Sequence, residues 1–195
     1  MNQGIIKLFN TNTIIGEFCS LTHIEESDAE FICNLRNEKR DDNFLKKTPD
    51  NVDAQIDYIR NYKKRFNNFE EIYFKILDNK DNKACGLVRL TEILNNDIFN
   101  WQSLVVATNS SPNIAIDSML MIYRIGFEFL NKKVCGPWEV DKNFIKMIKI
   151  HDFIKIAKMS DSNEKYFLFS VNIDDYKNNI ERFKKMNYAK LTNLI

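Results

Sequence analysis

Three small polar residues, Ser110, Ser111 and Asn113, stand between a β-branched run and a long apolar-periodic one, a placement suited to anion chemistry. The first backbone N–H groups of a helix lack intrahelical partners, and the helix dipole favours negative charge beside them. A strand leading through such a loop into a helix reads as a site for a phosphorylated cofactor, with all three side chains able to reach a phosphate oxygen. The same cluster also fits an N-cap and turn with no ligand. His151, one of two histidines, has an unperturbed pKa of about 6.5, which suits a proton donor or acceptor. As a residue closing a helix it would equally be stabilised by the C-terminal dipole. Trp101 and Trp138 offer faces for stacking on a sugar or base, or for core packing.

Periodicity supplies the elements that hold these residues. The spacing predicts a strand over 100–106, a loop over 107–113, a helix over 114–130, a strand over 134–140 and a helix over 143–151 with Asn143 as its N-cap. Upstream, a strand over 14–24 precedes a capping box, Ser27 to Glu30, and a helix to about residue 37. A polar loop over 40–49 leads to a helix over 51–66, then strands over 72–77 and 84–93 around a turn at 78–82. A strand over 166–172 and a helix over 174–186 follow. This order implies an α/β fold in a single domain, 1–195, with a mixed, mostly antiparallel central sheet flanked by helices.

Composition narrows the function. A chain of 195 residues can bury one sizeable core. Its net charge of +1 gives no global field for nucleic acid, and no basic stripe or recognition motif is present. The longest apolar run, around 119–125, is broken by Asp117, Arg124 and Glu128, which argues against a membrane span. Cys19, Cys33, Cys85 and Cys135 are widely spaced and offer no metal-ligand pattern. With no signal peptide in view, they are expected to be reduced and buried in a cytoplasmic protein.

The order of elements, with a loop and helix after the fourth strand, resembles the GNAT superfamily of acyl-CoA-dependent N-acyltransferases over residues 16–186. In that family the loop pattern Gln/Arg-x-x-Gly-x-Gly/Ala cradles the cofactor pyrophosphate with backbone N–H groups. The matching stretch is Ser110-Ser111-Pro112-Asn113-Ile114-Ala115, where Ser110 replaces the Gln/Arg, Asn113 replaces the first Gly and Ala115 fits. Asn adopts positive φ more readily than other non-glycine residues, so the loop could keep its shape. The resemblance implies acetyl-CoA or another acyl-CoA as donor. Ser110, Ser111, Asn113, Ile114, Ala115 and Asn143 would hold it, together with the backbone of Leu104, Val105 and Val106 on a splayed strand.

Residues 99–106, 121–130 and 149–153 resemble, more narrowly, the branch that acylates nucleotide-linked amino sugars for bacterial surface polysaccharides. The second helix of that branch carries a phrase ending Phe/Tyr-His/Tyr-x-x-x-Gly-Phe, and here reads Ile150-His151-Asp152-Phe153-Ile154-Lys155-Ile156. The implied reaction is attack of a neutral amine on a thioester carbonyl. His151 falls where the family often has a Tyr near the sulfur, and Glu92 would serve the amine, directly or through water; a solvated strand-end carboxylate is its plainer reading. Trp101 and Trp138 would flank the cofactor. Arg36, Arg40 and Lys46 would meet a nucleotide diphosphate, or be solvated surface charge, and Phe44 would cover the acceptor cleft. Relatives often associate through their last strands, which implies a homodimer through residues 166–171. Two alternatives stay open: a protein N-terminal or lysine acetyltransferase of the ribosomal-protein type, and a non-catalytic domain of the same fold.

Overall fold

The structure, a computed structural model, describes residues 3–38 and 51–195. Arg40, Phe44 and Lys46 lie outside the described residues. The strands are β1 (Thr13–Ile15), β2 (Cys19–His23), β3 (Glu71–Asp78), β4 (Ala84–Thr91), β5 (Ile98–Val106), β6 (Val134–Asp141), β7 (Lys158–Asp161) and β8 (Tyr166–Asn172). The helices are α1 (Gln3–Asn10), α2 (Ala29–Glu38), α3 (Val52–Asn67), α4 (Pro112–Arg124), α5 (Ile145–Ile154) and α6 (Ile173–Lys185).

The strands form one sheet in the order β1-β2-β3-β4-β5-β6-β8-β7. Every ladder is antiparallel except β5–β6, so the expected mixed, mostly antiparallel α/β architecture is what forms. Alternation along the strands feeds two cores. On one face Phe74, Val88, Phe99 and Trp101 meet Ile122 and Tyr123 of α4. On the other, Tyr73, Leu87 and Val105 meet Ile32 and Leu35 of α2 and Ile59 and Tyr62 of α3.

Local chemistry starts the helices where the residue types allow. Asn51 caps α3 by accepting from the Asp53 N–H at 2.8 Å, and Ser111 caps α4 by accepting from the Asn113 N–H at 3.3 Å with Pro112 opening the first turn. Helix α4 closes in a π-helical turn, Ile125–Phe129, that carries Gly126. A Cβ at Gly126 would lie 2.2 Å from the Phe99 ring, so only glycine lets this helix sit against β5 here.

Several expectations are corrected. The strand over 14–24 is two strands, because the Gly16 N–H turns back onto Cys19 O at 2.9 Å while the Asp117 carboxylate takes the Phe18 N–H at 2.9 Å. The capping interaction before α2 is shifted: the Asp28 carboxylate accepts from the Glu25 N–H at 2.9 Å. Asn143 does not cap α5, which starts two residues later; its N–H instead donates to Asp141 Oδ1 at 2.9 Å. Residues 166–171 lie inside the sheet, between β6 and β7.

Candidate active site

The site is built around β5. Its pairing with β4 runs Leu87↔Val105 and Arg89↔Gln102, so Ser103 and Leu104 together oppose one residue, a bulge with Ser103 at φ +57°. On its other edge β5 pairs with β6 only at Ile98↔Val134 and Phe99↔Cys135, after which the two parallel strands part. The Ala107 N–H donates to Cys85 O at 2.8 Å. Ladder alternation therefore turns the Val106 N–H away from β4, toward the side that β6 has left. The gap is a cleft of about 520 Å³, with Trp101, Leu104, Trp138, Asp141, Phe144 and Met147 among its walls.

Behind this wall lies His151, 2% exposed. Its ring stacks on Trp101 at 6.1 Å and 6°, and lies 5.9 Å from Trp138 and 5.0 Å from Phe169. Nδ1 is 3.0 Å from Met147 O and Nε2 is 3.1 Å from the Tyr123 hydroxyl. A carbonyl can only accept, so Nδ1 carries the ring proton and Nε2 accepts from Tyr123. Burial lowers the His151 pKa to about 4, against which the Met147 bond pulls weakly upward. The ring is neutral at pH 7, and both nitrogens are engaged within the protein.

At the far end of β5 a second cavity of about 610 Å³ is lined by Phe18, Asn79, Lys80, Ser110, Ser111 and Ile114. Lys80 supplies a cation that the sequence reading did not single out. Asn113 is helical, inside α4, and its Oδ1 accepts from the Tyr188 hydroxyl at 2.9 Å. The Ile114 side chain is buried at 1% exposure and its N–H is bonded to Ser111 O at 3.0 Å. Ala115 follows in the same turn, half-buried.

A cleft of mixed polar and aromatic lining beside unpaired strand backbone, with a second cavity at a helix start carrying Lys80 and two serines, fits an acyl-CoA. The cleft would take the thioester arm, and Ser110, Ser111 and Lys80 would meet the phosphates.

The structure thus brings Trp101, Leu104 and Trp138 together on one cleft, with His151 packed behind the tryptophans and Ser110 and Ser111 lining the second cavity. The Val105 side chain points into the other core. Arg36 lies on that opposite face, where its Nη2 approaches the Tyr73 hydroxyl at 3.4 Å. Glu92 is exposed, at φ +59°, in the turn after β4, and is not a wall of the cleft. The carboxylates at the cleft are Glu139 and Asp141 on β6, which the sequence reading missed along with Lys165 and Tyr166 from the β7–β8 hairpin. Their only signal was alternation along a strand whose neighbour was unknown.

No protein-family model matches the sequence, and no curated protein matches it. Solved structures do. An apo structure of FdhC, described as a nucleotide-linked sugar GNAT, superposes with a TM-score of 0.78 at 30% identity, over 90% of this chain and 98% of that one. The chain belongs to the GNAT superfamily. Ribosomal-protein-S5-alanine acetyltransferase from Vibrio fischeri superposes with a TM-score of 0.67 at 14% identity, over 84% of this chain and 98% of that one. A GCN5-related N-acetyltransferase from Brucella melitensis gives a TM-score of 0.69 at 13% identity, over 90% of this chain and 85% of that one. These two share the fold. As a GNAT the protein is an acyl-CoA-dependent N-acyltransferase, and β5 is the family's fourth strand, displaced in number because the first strand is split. Among the described residues of this GNAT no helix is long and apolar enough to cross a membrane, and no group of three His, Cys, Asp or Glu could hold a metal ion.

Proposed function

We propose that this GNAT transfers an acetyl or longer acyl group from acyl-CoA to the amino group of a nucleotide-linked amino sugar, in bacterial surface polysaccharide or glycan biosynthesis. The observation that carries the proposal is the 30% identity to a nucleotide-linked sugar GNAT across nearly the full length of both chains. Acyl-CoA supplies an activated thioester carbonyl. The chain's own contribution is to hold that carbonyl against the free N–H groups of β5, to keep water out with Trp101 and Trp138, and to accept a proton from the attacking amine.

In this proposal His151 works as a neutral wall. With its pKa near 4 and both nitrogens engaged, it fixes Trp101 and Trp138 around the cleft rather than carrying a proton. Glu139 and Asp141, which line the cleft, replace Glu92 as the carboxylates able to serve the amine. Ala115, Asn143 and the Leu104–Val106 backbone remain on the donor side of the proposal, and Arg36 on the acceptor side.

The test is in two parts. A thermal-shift titration with acetyl-CoA should raise the melting temperature, since a ligand at about a hundred times its dissociation constant stabilises a fold by roughly 2.7 kcal/mol. Mass spectrometry of reactions with a panel of nucleotide-linked amino sugars should then show an acylated product. Binding of acetyl-CoA with acylation of spermidine or peptide amines, and of no sugar nucleotide, would overturn the proposed acceptor.

A further inference from the structure

On the sheet face opposite the tryptophans, two arginines from separate elements converge on one tyrosine. The Arg89 guanidinium of β4 lies over the Tyr73 ring at 4.5 Å and near the Tyr58 ring at 5.5 Å, and it donates to the Tyr58 hydroxyl. The Arg36 guanidinium of α2 reaches the hydroxyl of the same Tyr73. Each arginine has a buried Nε with no hydrogen-bond partner among the described residues. Buried donors left unpaired are costly and rare, so two on neighbouring guanidiniums point to an external partner.

Charge supports the same conclusion. Glu71 is the nearby carboxylate, but it is bound to Arg65 at 2.9 Å and stands 3.8 Å from Arg89, beyond hydrogen-bond reach. Among the described residues, Asp28 is committed to Lys75 at 2.5 Å, Glu26 to Arg60 at 2.9 Å, Glu25 to Lys63 at 2.6 Å and Glu38 to the Thr108 N–H at 2.6 Å. Among the described residues here, Arg36, Arg65 and Arg89 stand against Glu71. The register sets Arg89 directly beside Gln102 of β5, one residue before the bulge, so an anion held here sits next to the reaction centre on the face away from the second cavity.

We infer that Arg36 and Arg89 form an anion-binding fork for the diphosphate of the acceptor, resting on the proposed sugar-nucleotide reading. A guanidinium binds phosphate oxygens in a planar fork, and stacking on Tyr73 and Tyr58 holds Arg89 in one orientation before the ligand arrives. Arg89 is the residue this adds: it lies mid-strand, where a charged side chain reads as solvent-facing.

The test measures nucleoside diphosphate binding (UDP, dTDP and GDP) by calorimetry to protein saturated with acetyl-CoA, so that the Ser110 loop is already filled. Wild type should bind at least one, and Arg89→Gln and Arg36→Gln should each weaken it roughly ten- to hundredfold, the scale of one lost charge-assisted hydrogen bond. Acetyl-CoA affinity should stay unchanged in both. If Arg89→Gln does not fold, Arg89→Lys, which keeps the charge and loses the fork, and Arg36→Gln at the helix end decide the matter. Unchanged diphosphate affinity in folded variants, or no diphosphate binding by wild type while it still acylates a sugar nucleotide, overturns the fork alone. Acetyl-CoA binding without acylation of any sugar nucleotide fails the acceptor reading instead.

Discussion

The two faces of β5 solve opposite problems. One face presents Trp101 to a cleft walled by Trp138, Leu104 and Met147, with a histidine driven neutral behind it. The other presents Gln102 beside Arg89, whose charge is retained at 15% side-chain exposure by Tyr58, Tyr73 and Glu71. His151 at 2% exposure is neutral, whereas Arg89 keeps its charge, with Gln102 beside it exposed. A thioester carbonyl gains from a dry, low-dielectric surround, in which backbone N–H groups polarise it strongly. A diphosphate needs fixed cations. Gln102, a wall of the cleft and the cross-strand neighbour of Arg89, stands where the two environments meet.

The largest break in this contrast should come from Trp101→Ala. It removes a ring in contact with Trp138, Tyr123 and His151, and it should cost about 3–5 kcal/mol in urea denaturation. A cost under about 1 kcal/mol would mean that the aromatic wall is not a packed unit.

Next is pH. His151 is held at about 4 in the fold against an ordinary value of 6.5. The unfolded chain therefore binds more protons between those values, and stability is full above about pH 6.5 and falls as pH drops toward 4, by up to about 1.4 kcal/mol per unit. His151→Phe should show a shallower slope in that window, with the part due to His23, also lowered to about 4, remaining. An identical slope would place His151 in a wetter setting than the aromatic cage implies.

A smaller effect should separate donor from acceptor. Ala115→Glu places a negative charge in the first turn of α4 and should weaken acetyl-CoA binding roughly tenfold, while leaving nucleoside diphosphate binding at the arginine face unchanged. Equal loss of both would mean that the two ligands share one site. The smallest effect is expected of Glu92→Gln, exposed beyond β4, with turnover within about twofold of wild type. A fall of about a hundredfold, the scale of a lost general base, would return the proton acceptor to that turn.

Much of the frame was legible in the chain. Asn51 and Ser111 cap helices because their short side chains reach the second amide beyond them; β-branched and aromatic runs over 72–77 and 84–93, and alternation over 166–172, mark real strands. β7 gave no such signal: Lys-Met-Ser-Asp is exposed throughout and is a strand because β8 offers it an edge. Ser103 gave none either, since its residue type does not announce a left-handed bulge.

Sequence alone determined most of the elements and their order, though not α1, β7 or the split of the first strand, because propensity, capping and periodicity act over a few neighbouring positions. Tertiary structure decided where those residues meet. The parting of β5 from β6 after Phe99, the bulge at Ser103, the engagement of Asn113 by Tyr188 and the convergence of Arg36 and Arg89 on Tyr73 all depend on partners 13 or more positions apart in the chain. Contacts at that separation are fixed by packing of whole elements, and no local pattern encodes them.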